Sequence, residues 1–168
     1  MRILGIDPGL ATTGFGLIQA GDQSQYQCIE FGIISTPADQ ADADRLKILH
    51  TELTALIQRH QPQTSAVEKL YFQKNVKTAL AVGQARGVVL LSLAQAGVPI
   101  FEYNPNEVKQ TVCGYGNAAK SQVQHMVQTL LNLDNLPRPD DAADALAIAI
   151  CHLHHQAFND AVLRSQQA

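Results

Sequence analysis

Residues 2–19 read RILGIDPGLATTGFGLIQ, and this stretch predicts the first hairpin of a β-sheet. The apolar run at residues 2–6 predicts a strand that stops at Asp7, because the proline that follows fixes φ and the next glycine tolerates a positive φ. Two further strands are predicted at residues 13–19 and 26–35, which are rich in β-forming residues and are separated by a Gly-Asp turn. The three strands form an antiparallel meander that leaves the carboxylate of Asp7 at a strand end.

Helices and strands alternate over the rest of the chain. The predicted helices cover residues 41–60, 76–96, 121–133 and from Asp140 or Asp141 onward, and the predicted strands cover residues 64–71 and 99–103. Gly97 is predicted to end the second helix, and Ser121 to cap the third. This order predicts an α/β fold in which helices flank a mixed five-stranded sheet, made of the three-stranded meander plus two parallel strands.

Length and composition limit the number of domains and the class of protein. The chain has 168 residues, of which 46% are hydrophobic and 16% charged, so it can bury the core of one domain. We predict a single domain over residues 1–157 and a poorly ordered C-terminal tail over 158–168. Three widely spaced cysteines without a paired motif predict a reduced, cytoplasmic protein, and no apolar segment reaches the ~20 residues of a membrane helix.

The charge of the chain is unevenly distributed. The net charge of -3 disfavours a general attraction to nucleic acid, but residues 59–120 carry a local charge of +4 and the remainder carries -7. Within the basic part, residues 69–77 mix lysines with aromatic residues, a combination that suits phosphates and unpaired bases. The candidate contacts are Tyr71, Lys74 and Lys77, and the alternative is a solvated loop whose aromatic residues join the core.

Four carboxylates lie where apolar residues surround them in the sequence. Asp7 ends an apolar strand, Glu68 interrupts another, and Asp141 and Asp144 share one face of an apolar helix because they are three residues apart. If the two strands are neighbours at the sheet centre and the last helix crosses their ends, all four acids converge. An alternative for the helical pair alone is a structural role at the N-terminal end of the helix dipole.

Convergent carboxylates repel one another unless cations neutralise them. A ligand set made only of carboxylates suits Mg²⁺, for which Mn²⁺ can substitute. We therefore predict two Mg²⁺ ions per subunit at Asp7, Glu68, Asp141 and Asp144. Two such ions, about 4 Å apart, activate a water and stabilise the leaving oxygen in phosphodiester hydrolysis.

Five ordered motifs carry a resemblance to a known family. They are ILGIDPGLATTGFG at residues 3–16, VE at 67–68, GQARG at 83–87, VKQT at 108–111 and DAADALAIA at 141–149. Together they closely resemble the bacterial RuvC Holliday junction resolvases over nearly the full chain. The resemblance implies a ribonuclease H-like fold and a homodimer that nicks two opposed strands of a four-way DNA junction. It also implies that the protein works with the RuvA and RuvB branch-migration machinery.

The resemblance also implies roles for individual residues. Asp7, Glu68, Asp141 and Asp144 are implied to be the metal-binding catalytic acids. Tyr71, where the family usually has phenylalanine, is implied to stack at the opened junction centre, and Lys109 and Lys120 are implied to lie near the scissile phosphate. Asp140 departs from the family pattern, and we interpret it as the N-cap of the last helix.

Other interpretations stay open from the residues alone. An Asp-x-Gly hairpin also occurs in ATP-binding proteins of the actin and sugar-kinase type, although those need two lobes, and a non-catalytic junction-binding scaffold would keep the same acids. Gly83 and Gly87 predict close helix packing, either within the domain or between two subunits. The histidines at residues 152–155 are interpreted as helix-end residues rather than a metal site.

Overall fold

Ten elements of secondary structure account for most of residues 1–21, 26–69 and 76–166, the part of the chain that this computed structural model describes. The strands are β1 (Arg2–Asp7), β2 (Thr12–Ala20), β3 (Tyr26–Ser35), β4 (Thr64–Glu68) and β5 (Ile100–Tyr103). The helices are α1 (Asp42–His60), α2 (Val76–Gln95), α3 (Pro105–Cys113), α4 (Lys120–Leu130) and α5 (Asp140–Gln166). The strand and helix order confirms the predicted α/β class.

The five strands form one sheet in the order β3-β2-β1-β4-β5. The pairs β1–β2 and β2–β3 are antiparallel, as expected of a meander, whereas β1–β4 and β4–β5 are parallel. A parallel connection has to cross over the sheet, and α1 and α2 make the two crossovers. The first strand of the chain therefore becomes the central strand, with β2 on one side and β4 on the other.

Side chains of β1 alternate between two apolar layers. Ile3 packs into the layer formed by α3, α4 and α5, whereas Leu4 and Ile6 pack into the layer formed by α1 and α2. In β4, Ala66 belongs to the first layer and Val67 to the second. Because successive side chains of a strand point to opposite faces, the final residues of both strands point toward α5.

Helix α5 lies in direct backbone contact with β1 and β2. A Cβ atom on Gly5 would overlap the carbonyl oxygen of Ala145, and one on Gly14 would overlap the carbonyl oxygen of Asp141. A Cβ atom on Gly16 would lie 2.8 Å from the Leu146 side chain. These glycines are therefore required for the close approach of α5 to the sheet, and the first turn of α5 is held against β2.

A buried histidine joins α5 to the parallel strands. The His152 side chain is fully buried, with Nε2 2.9 Å from Thr64 Oγ1 and Nδ1 2.8 Å from Tyr103 Oη. Burial lowers the pKa of His152 to about 4, so the ring is neutral at pH 7. Both ring nitrogens have partners in β4 and β5, which agrees with a structural rather than a metal-binding role for this histidine.

Three predictions about where helices begin differ from the structure. Helix α3 was not predicted, although Asn104, Pro105 and Glu107 form its start: the Glu107 side chain accepts a hydrogen bond from the Asn104 N–H at 2.7 Å. Helix α4 begins one residue before Ser121, so Ser121 is not its cap. Asp140 is already helical rather than a cap, because the Pro139 carbonyl accepts the first helical bond, from the N–H of Ala143 at 3.3 Å.

The C-terminal residues continue the last helix. Residues 158–166 belong to α5 in the structure, while the poorly ordered tail over 158–168 and the domain boundary at residue 157 stay predictions. Strand β4 ends at Glu68 rather than at the predicted residue 71. Among the described residues, no helix combines the length and apolar character needed to cross a membrane.

Candidate active site

The carboxyl ends of the two central parallel strands bring Asp7 and Glu68 together. Asp7 is the last residue of β1 and Glu68 the last residue of β4, and the register pairs Ile6 with Val67 immediately before them. Both side chains point toward α5, because Ile3 and Ala66 mark that face of each strand. Two strands that are distant in sequence thus present two half-buried carboxylates at one edge of the sheet.

Helix α5 supplies the other two acids. Gly14 pairs with Asp7 in the β1–β2 ladder, and its Cα faces the Asp141 carbonyl, so the first turn of α5 lies beside Asp7. Carboxylate oxygens of Asp7, Asp141 and Asp144 lie within 4.8 Å of one another. Glu68 lies outside this group of three, but its charge is the largest ionic influence on Asp7. Three of the four predicted acids therefore converge tightly, and the fourth borders them.

Burial and mutual repulsion disfavour ionisation of these acids. Burial, followed by the charges of Glu68, Asp144 and Asp141, raises the pKa of Asp7 to about 8. Burial and the charge of Asp144 raise the pKa of Glu68 to about 7, although Lys109 and Lys120 partly oppose this shift. Burial also raises the pKa of Asp144 despite its contact with Lys120. A bound cation would relieve this repulsion.

Two lysines border the acids. The Lys120 Nζ atom lies 3.0 Å from Asp144 Oδ2 and 3.6 Å from Asp140 Oδ2. Burial lowers the pKa of Lys120, but the hydrogen bond to Asp144 and the neighbouring carboxylates outweigh this effect, and the pKa is raised. Lys109, on α3, is close enough to Glu68 to lower its pKa. The structure thus places both predicted lysines beside the acids.

The three clustered residues fit a divalent metal ion. Their donors are all carboxylate oxygens, which Mg²⁺ and Mn²⁺ prefer over the softer ligands of zinc sites. The raised pKa values of Asp7 and Glu68 show that the acids are held together at an electrostatic cost. Asp7, Asp141 and Asp144 could hold an ion directly, and Glu68 borders them.

Metal binding should be linked to proton release. Asp7 and Glu68 are largely protonated at pH 6 in the metal-free protein, because their pKa values are about 8 and about 7. Ligation requires the ionised acids, so apparent Mg²⁺ affinity should rise between pH 6 and pH 8, by up to about tenfold per pH unit for each proton released. Calorimetry in two buffers of different ionisation enthalpy measures the number of protons, and a value of zero would contradict the prediction.

The same shifts set the pH dependence of stability. A carboxyl group whose pKa is higher in the folded than in the unfolded protein destabilises the fold increasingly as the pH rises from the unfolded-state pKa to the folded-state pKa. The unfolding free energy of the metal-free protein should therefore fall from about pH 4 to about pH 8, the interval over which Asp7 is shifted. Thermal melts across this range with and without Mg²⁺ check the sign, since Mg²⁺ should restore stability at the alkaline end.

Three predicted contacts lie wholly or partly outside the described residues. Tyr71 and Lys74 fall in residues 70–75, and Lys77 is described only as part of the backbone of α2. Their predicted roles stay predictions.

The residues immediately around Lys120 include one to which the sequence analysis gave a different role and one that it did not mention. Asp140 was interpreted as a cap, and Gln124 was not considered. In the structure, Gln124 Nε2 donates a hydrogen bond to Asp140 Oδ1 at 2.7 Å. The spacing of four residues, from 120 to 124 in α4 and from 140 to 144 in α5, places each pair on one helix face, but only the packing of the two helices brings these faces together.

Comparisons with known proteins agree over nearly the whole chain. The family model for crossover junction endodeoxyribonuclease RuvC matches residues 3–152. The protein of that name from Halothermothrix orenii is 57% identical over 159 residues, 95% of this chain and 96% of its own. The structure of T. thermophilus RuvC in complex with Holliday junction substrate has a TM-score of 0.89 at 34% identity, over 95% of this chain and 96% of that one.

A more distant structure shares the fold alone. The yeast mitochondrial Holliday junction resolvase Ydc2 has a TM-score of 0.66 at 14% identity and covers 92% of this chain and 80% of its own. In the present chain, the mixed sheet and the acids at the carboxyl ends of β1 and β4 define an enzyme of the ribonuclease H-like class. Within that class, the chain belongs to the RuvC family of crossover junction endodeoxyribonucleases.

Proposed function

We propose that this protein is a Holliday junction resolvase, which hydrolyses phosphodiester bonds symmetrically in two opposed strands of a four-way DNA junction during homologous recombination and repair. The observation that carries the proposal is the convergence of Asp7, Asp141 and Asp144 at the edge of a sheet whose fold matches T. thermophilus RuvC in complex with its junction substrate. Family membership at 57% identity supports the same activity.

The four acids have one shared role in this proposal. Asp7, Glu68, Asp141 and Asp144 would hold two Mg²⁺ ions per subunit, with Mn²⁺ able to substitute. When bound, such ions lower the pKa of a water molecule and neutralise charge on a phosphate. Lys109 and Lys120 stand beside the acids and would stabilise the charge that develops on the phosphoryl oxygens.

The DNA-binding residues of the proposal lie in the basic part of the chain. Tyr71 would stack on a base at the opened junction centre, and Lys74 and Lys77 would contact phosphates. In the sequence, this basic segment, residues 69–77, follows Glu68, the last residue of β4. Lys109 and Lys120 would extend the same basic surface across the acids.

Cleavage of a junction, rather than of duplex DNA, tests this function. Purified protein with Mg²⁺ should nick a synthetic four-way junction in two opposed strands, leave a linear duplex of the same sequence uncut, and do neither in excess chelator. Denaturing gels with each strand labelled in turn measure the outcome. Junction binding without cleavage under all metal conditions would instead support a non-catalytic scaffold.

We also propose that the protein acts as a homodimer that pairs through the outer face of α2. Leu80 and Leu91 are 67% and 53% exposed on this helix, and Gly83 and Gly87 lie between them at helical spacing. A Cβ atom on either glycine would meet nothing within 4 Å, so packing within the domain does not require them. The occupant is a second copy, because one domain with one cluster of acids needs a symmetric partner to cut two strands.

Aspartate substitutions on the outer face of α2 should produce a monomer. Replacing both Leu80 and Leu91 by aspartate places two charges in the proposed interface, so sedimentation velocity should show a monomer where the unmodified protein is a dimer. The control is Phe158→Asp, which changes an equally exposed apolar residue on α5 and should leave the dimer intact. A doubly substituted protein that still sediments as a dimer would exclude α2 as the interface.

Cellular context follows from the same family assignment. The RuvA and RuvB branch-migration machinery would deliver the junction. Cys28, Cys113 and Cys151 are free thiols, which agrees with a cytoplasmic, reducing compartment.

A further inference from the structure

Four side chains, two from each helix, form a row of polar contacts between α4 and α5. Lys120 and Gln124 lie one turn apart on α4, and Asp140 and Asp144 lie one turn apart on α5. Gln124 donates to Asp140 Oδ1 at 2.7 Å, while Lys120 Nζ lies 3.6 Å from Asp140 Oδ2 and 3.0 Å from Asp144 Oδ2. Lys120 thus sits between two carboxylates, of which only Asp144 belongs to the clustered acids.

The Lys120 ammonium group and a bound metal ion would compete for the Asp144 carboxylate. If Asp144 ligates a metal ion, as the proposed function requires, its carboxylate must contact both that ion and the Lys120 ammonium group. Two cations on one carboxylate repel each other. The Lys120 side chain is half-exposed, so its ammonium group can rotate away from Asp144 without any movement of the helices.

We propose that Asp140 is a positioning residue that holds Lys120 when Asp144 is released to bind metal. This inference rests on the proposed function. Asp140 Oδ2 is already within 3.6 Å of Nζ, and the bond from Gln124 to Oδ1 orients the carboxylate so that Oδ2 faces Lys120. The exchange keeps the ammonium group at the rim of the acids, where a scissile phosphate would lie, instead of letting it move into solvent.

The contact between Lys120 and Asp140 contributes to metal binding through this exchange, and it contributes little to the stability of the fold. Both side chains are more than half exposed, and an exposed ion pair contributes little to folding. Asp140 instead gives the Lys120 ammonium group a second carboxylate to contact. Less free energy is therefore lost when Lys120 moves away from Asp144. Loss of Asp140 would leave Lys120 on Asp144, in competition with the metal ion.

Metal affinity in a double-mutant cycle tests the inference without any cleavage measurement. Calorimetric titration with Mg²⁺, in the absence of DNA, compares the unmodified protein with Asp140→Asn, Lys120→Met and the double variant. Asp140→Asn should weaken Mg²⁺ binding about three- to tenfold and Lys120→Met should tighten it, and in the Lys120→Met background Asp140→Asn should change affinity by less than about twofold. Asp140→Glu, which retains the carboxylate, should restore most of the affinity.

The cycle separates the possible failures. Equal weakening by Asp140→Asn in both backgrounds would show that Asp140 acts on the metal directly or through its charge alone, and would overturn the inference while leaving the proposed function intact. No effect of Asp140→Asn in either background would overturn it as well. An unmodified protein that binds no Mg²⁺ would overturn the proposed function and this inference together.

Discussion

Asp7→Asn should abolish junction cleavage, with a loss on the order of 10³-fold or more in single-turnover rate. Asp7 ends the central strand and belongs to the three clustered acids, and burial together with the neighbouring acids raises its pKa to about 8. Asparagine retains the shape of the side chain but cannot supply a carboxylate ligand. Junction affinity, measured by fluorescence anisotropy in chelator, should stay within about twofold because the substitution removes no positive charge that contacts phosphate.

Two further measurements make this prediction specific. Asp39→Asn, which removes an exposed carboxylate between β3 and α1, should leave the cleavage rate unchanged. In the absence of metal at pH 8.5, Asp7→Asn should be more stable than the unmodified protein, because it replaces a buried carboxylate that is ionised at that pH. Full cleavage by Asp7→Asn would remove Asp7 from the catalytic machinery.

Gly14→Ala should cause the largest loss of stability among single-methyl additions to β2, about 3 kcal/mol. The added Cβ would overlap the backbone carbonyl of Asp141, and backbone on both sides leaves no flexible side chain to move aside. Either α5 or β2 has to shift. Since Asp141 begins the acidic face of α5, Mg²⁺ affinity should fall as well, which is a change that a purely local loss of stability would not produce.

The matched control adds the same methyl group where space exists. A Cβ atom on Gly116 would have its nearest neighbour at 3.5 Å, an ordinary contact with the Asn106 carbonyl oxygen, so Gly116→Ala should change stability by less than about 0.5 kcal/mol. Urea denaturation of both variants gives the stability difference, and calorimetry gives Mg²⁺ affinity. Equal stability of the two variants would show that α5 does not depend on Gly14 for its position.

Elements with a strong local signal were predictable. Asp7-Pro8-Gly9 ends β1 because the proline and the glycine favour a turn, and the structure ends the strand at Asp7. Helix α3 was missed because its nine residues carry few apolar positions, although Asn104 before Pro105 and Glu107 is a helix-start signal. A short helix can depend more on its cap than on its apolar periodicity.

The convergence of the acids was predictable only as a consequence of topology. Spacing of three residues places Asp141 and Asp144 on one helix face whatever the helix packs against. Their approach to Asp7 depends on β1 lying beside β4 and on three glycines that admit the backbone of α5. No local pattern in the sequence states which helix will lie against those glycines.

By itself, the sequence determined the α/β class and the family and predicted the four acids as one site, because hydrophobic periodicity, turn residues and ordered motifs are properties of short segments. Only the tertiary structure decided that Lys120 stands between Asp144 and Asp140, and that Gln124 orients Asp140. Those contacts join two helices whose separation and rotation are set by the packing of α4 and α5 against each other and the sheet. Side-chain distances of 3 to 4 Å between separate helices follow from that packing, which no spacing along the chain encodes.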